Sequence, residues 1–319
     1  MQAQSVLFIN LPSKPLNMLL SEQKDVRLIK VLPFGILYIS SFLRKENLCK
    51  NIFCADFFSV DFSLCRTKED ICETSQRILL KTVSTETPNI IAISLNMSTS
   101  YEFFELIVPL LKSLWPKSII VVGGHTASNG VNFLFNSFSS IDYIISGEGE
   151  IAFSQLVKTI SENKSVEIKG VHSRQNIVID QMTGLPARTE TIQNVSSLPF
   201  PDWEIINMEF YLDSSNSQLF WDSLMNKNSE TPRRSVAILT SRGCPFRCTF
   251  CAANNVHGRK LRLRSVENIV EEIKLLYEKY KINYLNVFDD LSLPTQKITT
   301  ELLSSIEKLN IPDLNTSFS

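Results

Sequence analysis

Five apolar runs of strand length punctuate the first half of the chain: Val6–Asn10, Asn51–Ala55, Asn89–Ser94, Ser118–Val122 and Ile141–Ile145. Their nearly continuous β-branched content predicts parallel strands covered on both faces. Between them the period changes. Phe34–Glu46 carries Phe34, Leu37, Tyr38 and Phe42 at helical spacing. Tyr101–Trp115 carries Phe103, Leu106, Ile107, Leu110, Leu111 and Leu114, and Pro116 stops it. Glu150–Ile160 follows the same pattern less cleanly. This alternation predicts an α/β domain, doubly wound and flavodoxin-like (Rossmann-like), with strand order 2-1-3-4-5.

The pattern breaks after about residue 160. Residues 166–232 are polar, with a short strand-like piece at Gln175–Asp180 and a turn at Met182–Gly184. A new strand is predicted at Ser235–Thr240. Ser265 then caps a helix to Tyr280, with Val266, Ile269, Val270, Ile273, Leu276 and Tyr277 on its apolar face. A second strand, Tyr284–Phe288, ends in Asp289-Asp290. A helix is predicted over Thr300–Leu309 and a third strand near Asn315. The organisation read from this is residues 1–165, a linker segment 166–232, and a second α/β part 233–319.

Composition narrows the function classes. The 319 residues are 44% hydrophobic, enough for about two domains. Lys plus Arg number 32 and Asp plus Glu 33, a net charge of −1, which gives no reason to expect nucleic acid or an anionic membrane as a partner. The longest mostly apolar run, Val31–Leu43, is shorter than the ~20 residues that cross a bilayer, and no basic leader precedes the first strand. Seven cysteines stand at 49, 54, 65, 72, 244, 248 and 251. Their odd number and uneven spacing do not read as a secreted disulfide framework. Free thiols and a reducing cytoplasm are expected.

Chemistry concentrates in Cys244-Pro-Phe-Arg-Cys248-Thr-Phe-Cys251. A closed structural metal site uses four protein ligands. Three thiolates in eight residues read instead as a four-iron cluster with one iron left open. Zinc held by these thiols and His257 is the alternative. The segment Thr240-Ser241-Arg242-Gly243-Cys244-Pro245 and the C-x3-C-x2-C spacing resemble the radical S-adenosylmethionine (SAM) enzymes. That resemblance implies that Cys244, Cys248 and Cys251 ligate a 4Fe-4S cluster whose open iron binds SAM, which is reductively cleaved to a 5′-deoxyadenosyl radical. It places Phe250 beside the cofactor, where the family has an aromatic. It also gives Asp290, of the pair Asp289-Asp290, a hydrogen bond to SAM or to a neighbouring loop, with a plain turn acid as the alternative. The basic run Arg259-Lys-Leu-Arg-Leu-Arg264 is expected to be an exposed strand or turn, or to bring some arginines near the cluster.

The loops at the carboxyl ends of the first five strands resemble the cobalamin-binding domain that precedes many radical SAM barrels. Ligands of doubly wound sheets bind at that edge. The resemblance rests on Leu32-Pro33-Phe34-Gly35, Gly123-Gly124-His125 and Gly147-Glu148-Gly149-Glu150. It implies that Ser94, Ser98, Gly123, Gly124, His125, Gly147, Glu148 and Gly149 enclose cobalamin. The loop after strand one reads Asn10-Leu-Pro-Ser-Lys-Pro15 and lacks the Asp-x-His-x-x-Gly that supplies an axial histidine elsewhere. His125 is read as a loop residue near the nucleotide tail.

The resemblance implies a cobalamin-dependent radical SAM enzyme, possessing a doubly wound sheet, a linker and the first part of a (β/α) barrel. Methyl transfer or a related radical reaction is its expected chemistry. An external electron donor such as flavodoxin or ferredoxin is the expected partner; the substrate is not specified by the sequence. A whole barrel has about six strand–helix units, roughly two hundred residues. Two units and a strand follow Ser235, so the barrel is expected to be truncated or completed by another chain. An inactive cobalamin- or partner-binding module is the competing expectation.

Overall fold

The computed structural model describes residues 4–20, 30–181, 183–212, 233–249, 251–292, 295–312 and 314–318. They divide into two units. One comprises the N-terminal strand, residues 33–191 and 201–206; the other comprises 192–200 and most of the chain beyond 207.

The first unit is a six-stranded sheet. Its strands are β1 (Gln4–Asn10), β2 (Cys49–Asp56), β3 (Ile90–Ser94), β4 (Ile119–Gly123), β5 (Tyr143–Ile145) and β6 (Val171–Ser173). The order is β2-β1-β3-β4-β5-β6, with the first five parallel. The predicted order is present and is extended by one strand. β6 runs antiparallel to β5 and comes from the segment expected to be a linker. The strand-like piece Gln175–Asp180 forms only isolated bridges, Ser173 to Asn176 and Ile179 to Pro186, and Val178 and Ile179 are exposed.

Alternate residues of each strand enter opposite cores. Leu7, Ile9, Ile91, Ile93, Ile120 and Val122 pack with the helices Lys68–Val83 and Tyr101–Leu114. Val6, Phe8, Ile90, Ala92 and Val121 pack with Phe34–Lys45 and Glu150–Ser161. Apolar residues on both faces explain why the strands read as continuous runs. The helix Lys68–Val83 was not predicted. Its buried side chains, Ile71, Ser75, Leu79 and Val83, form a narrow stripe on an otherwise polar helix. Thr67 and Asp70 close a capping box at its start: the Thr67 hydroxyl accepts from Asp70 N, and the Asp70 carboxylate accepts from Thr67 N.

In the second unit, β7 (Ser235–Ile238), β10 (Tyr284–Val287) and β11 (Asn315–Phe318) form a parallel sheet in the order β11-β10-β7. Between β7 and β10 lie a two-residue antiparallel pair, β8 (Ser241–Arg242) with β9 (Arg262–Leu263), and the helix Val266–Tyr280. Val236, Ile238, Ile269, Ile273, Leu276, Leu285, Val287 and Leu302 are buried and make its core. Ser265 caps its helix as predicted, accepting from Asn268 N. The next helix spans Gln296–Glu307, starting earlier than predicted because the Thr295 side chain caps Ile298 N. Among the described residues no helix is long and apolar enough to cross a membrane.

Candidate functional site

Register aligns the carboxyl edge of the first sheet. Asn10 pairs with Asp56 and Ser94, and Ser94 with Gly123. All four strands therefore end in one row, and their loops open on one edge. The Asn10 side-chain amide donates to Asp56 Oδ1 at 2.7 Å, occupying the end of β1 where a histidine loop would begin. Asn96 joins the next two loops. Its Oδ1 accepts from His125 N at 3.1 Å, its carbonyl accepts from the Thr126 hydroxyl at 2.9 Å, and its Nδ2 donates to Ser94 Oγ at 2.9 Å. The approach is so close that a Cβ on Gly124, which has φ +106°, would sit 2.5 Å from Asn96 Oδ1. Only glycine meets both demands.

The expected cobalamin residues of this unit thus share one edge. Ser94, Gly123, Gly124 and His125 are half-buried and Ser98 is exposed. His125 opens the short helix His125–Asn129 rather than lying in a loop. Gly147, Glu148 and Gly149 follow β5, and Ser128 Oγ accepts from Gly147 N at 3.1 Å, linking this loop to the β4 side. Glu148 is buried, and its carbonyl accepts from the Thr189 hydroxyl at 2.8 Å.

The cysteine loop follows the short strand β8, which comes just after β7. Cys244 is half-buried; Cys248 and Cys251 are exposed, and none is in a disulfide. Cys251 N donates to Cys248 O at 3.2 Å, so these two lie on one turn, and Asn254 Nδ2 donates to Phe246 O at 3.0 Å. Phe250 lies outside the described residues. Among the described residues no three His, Cys, Asp or Glu side chains converge on one point, so Cys244, Cys248, Cys251 and His257 are not drawn together around a single position. Three unbridged thiols on one accessible loop do match, as donors, what an iron–sulfur cluster takes.

The loop is held from both ends. Gly243 has φ +84°, and a Cβ there would lie 2.5 Å from Lys260 O. Cys244 N donates to Gly258 O at 3.3 Å. Asp290 Oδ2 accepts from Gly243 N at 3.0 Å. Asp289 Oδ1 accepts from Thr240 N at 2.7 Å; its Oδ2 accepts from the Thr240 hydroxyl and, at 3.0 Å, from Ser241 Oγ. Burial pushes the Asp289 carboxyl up, and the hydrogen bonds from Thr240 and Ser241 oppose that.

The basic run is not an exposed element. Arg259 and Lys260 are exposed, but Arg262 and Arg264 are buried. Arg262 donates to Ile192 O at 2.6 Å and His257 O at 2.7 Å. Arg264 donates to Leu239 O at 2.7 Å and to Glu272 at 2.5 Å. Burial pushes the Glu272 carboxyl up, and the Arg264 guanidinium opposes it. Asn96, Asp289, Arg262 and Arg264 were not singled out as site residues from sequence. The doublet Asp289-Asp290 held a signal for one of them; nothing in the chain's periodicity marks Asn96 as a bridge.

Two family descriptions match this chain. The B12 binding domain covers residues 28–157, and the Radical SAM superfamily covers residues 238–312, which contain the cysteine loop. The chain thus carries a match to a B12 binding domain followed by a match to the Radical SAM superfamily. It is 27% identical to an uncharacterized methyltransferase of Pyrococcus horikoshii, over 81% of this chain and 48% of that one. It is 25% identical to the cytidylyl-2-hydroxyethylphosphonate methyltransferase of Streptomyces wedmorensis, over 70% of this chain and 44% of the relative. The chain thus spans less than half the length of these relatives. Its fold resembles the radical SAM methyltransferase TsrM of Kitasatospora setae, solved with tryptophan and a SAM analogue, with TM-score 0.65 at 18% identity over 98% of this chain and 53% of TsrM.

Proposed function

We propose that this protein is a cobalamin-dependent radical SAM enzyme and acts as a methyltransferase. The observation that carries the reading is the order of its parts: a B12 binding domain match, then a radical SAM match that contains three unbridged cysteines on the loop after β7 and β8. Residues 1–165 are assigned to cobalamin, 166–232 to the connection and 233–319 to the radical SAM part. Cys244, Cys248 and Cys251 hold the 4Fe-4S cluster in this reading. Ser94, Ser98, Gly123, Gly124, His125, Gly147, Glu148 and Gly149 serve the cobalamin edge, and Phe250 and Asp290 the SAM side. When bound, the three groups supply reductive cleavage of SAM and carriage of a methyl group.

The chain's own contribution is placement. Hydroxyls of Ser94, Ser98 and Thr99 line an edge where doubly wound sheets receive ligands. Gly243 lets the strand turn abruptly into the thiol loop. A low-potential flavodoxin or ferredoxin of the cytoplasm is the proposed electron source.

Anaerobic reconstitution of the full chain with iron, sulfide and hydroxocobalamin tests the reading. The expected result is iron–sulfur absorption that changes on adding SAM, a corrin that stays with the protein through gel filtration, and 5′-deoxyadenosine after reduction. Absence of the absorption, or spectra identical with and without SAM, would refute it. Corrin retention without 5′-deoxyadenosine would favour an inactive binding module.

A further inference from the structure

We propose that Asp289, assisted by Asp290, is a positioning residue that sets the cysteine loop from its N-terminal side. The inference rests on the reading of Cys244, Cys248 and Cys251 as cluster ligands. Neither carboxylate is needed to ligate iron; their hydrogen bonds go to Thr240, Ser241 and Gly243, the residues just before Cys244.

The argument begins with the backbone ladder. β7 and β10 pair in parallel as far as Val287 opposite Ile238, and Phe288 N then donates to Ile238 O at 2.9 Å. Beyond that point the β7 side must bend away, because Gly243 adopts a left-handed φ and packs against Lys260 O. One edge of the departing segment is satisfied by backbone: Ser241 and Arg242 pair with Leu263 and Arg262, and Arg264 N donates to Thr240 O at 2.9 Å. The other edge no longer faces strand. Buried amides left without acceptors are costly. Two side chains substitute for the missing strand: Asp289 takes Thr240 N and the hydroxyls of Thr240 and Ser241, and Asp290 takes Gly243 N.

The consequence is a fixed launch point for Cys244. The residue before it is held through Gly243 N by Asp290, and Cys244 N itself by Gly258 O. Hydrogen bonds to ionised acceptors are stronger and more directional than neutral ones. They suit a place where a thiolate must meet metal within a narrow geometric tolerance. Asp289 sits at the end of one strand and acts on the end of its neighbour, so the sheet register itself is transmitted to the loop.

The test compares wild type, Asp289→Asn and Asp290→Asn as full chains. Hydrogen exchange is read on the cluster-free protein, and iron content and the electron paramagnetic resonance spectrum after anaerobic reconstitution and reduction. The expected result is about tenfold faster exchange at Thr240 in the first variant and at Gly243 in the second, from loss of one charged acceptor. Iron content is expected to fall, or the reduced spectrum to shift, while amides of β3 and β4 exchange as in wild type. Variants with wild-type iron content and spectrum would overturn the proposal, whether or not exchange changes. So would iron loss with unchanged exchange at both amides. Should Asp289→Asn fail to fold, Asp290→Asn and Ser241→Ala decide by the same criteria. Wild type that loads no iron would sink the proposed function itself, a result distinct from variants that match a loaded wild type.

Discussion

Arg264 and Glu272 show what a single buried pair costs and contributes. Both are nearly inaccessible, and the guanidinium also holds Leu239 O, the residue before Thr240. Removing only Arg264 strands a buried carboxylate. Arg264→Met is therefore expected to destabilise the second unit by ~3–5 kcal/mol, and adding Glu272→Leu to recover much of that loss, both read from urea unfolding. His172 makes a different demand. It is fully buried; Ala187 O can only accept, so Nε2 carries the hydrogen at 2.8 Å, and Nδ1 has no hydrogen-bond partner among the described residues. Burial holds its pKa below the ordinary 6.5. The unfolded chain then binds the proton more readily than the folded one. The associated stability is complete above about pH 6.5 and is lost as pH falls through the lowered folded value. The urea midpoint is expected to drop between about pH 7.5 and pH 5.5, and His172→Gln to flatten that dependence. A midpoint unaffected by pH in wild type would contradict this.

At the level of strands and helices, legibility followed burial. β1 to β5 were readable because each is covered on both faces, so apolar residues occupy consecutive positions. The helix Lys68–Val83 was missed because only every fourth residue is buried and the rest is polar, leaving the Thr67 and Asp70 cap as its clearest sign. Thr67→Ala is expected to cost about 1 kcal/mol, measured by thermal or urea unfolding. β6 was misread because three residues on an antiparallel edge carry too little pattern; Val171 is buried while His172 hides a polar ring there. Of the two readings of the basic run, the exposed one failed at Arg262 and Arg264 for a related reason. Alternating arginine and leucine looks like a solvated edge, yet Arg262 and Arg264 spend their donors on backbone carbonyls and Glu272, which a pattern of charge does not reveal. The thiol triplet was legible because its information is local. The contacts that hold it come from Asp289 and Asp290, some forty residues further along the chain, and only the fold brings them there.

Taken as one molecule, the protein is two α/β units of different purpose. One gathers small polar groups and glycines along a strand edge within the B12 binding domain match. The other turns one strand into a loop of three unbridged thiols within the radical SAM match. The two domain matches and the thiol loop support the proposed metal centre, in which protein would supply three ligands and leave one position open. Metal and sulfide analysis of the anaerobically reconstituted chain, beside Cys244→Ser, Cys248→Ser and Cys251→Ser, tests that most directly. The expected result is ~4 iron and ~4 sulfide per wild-type chain, falling sharply in every one of the three variants. Zinc in place of iron, or iron content unchanged by Cys248→Ser, would contradict it.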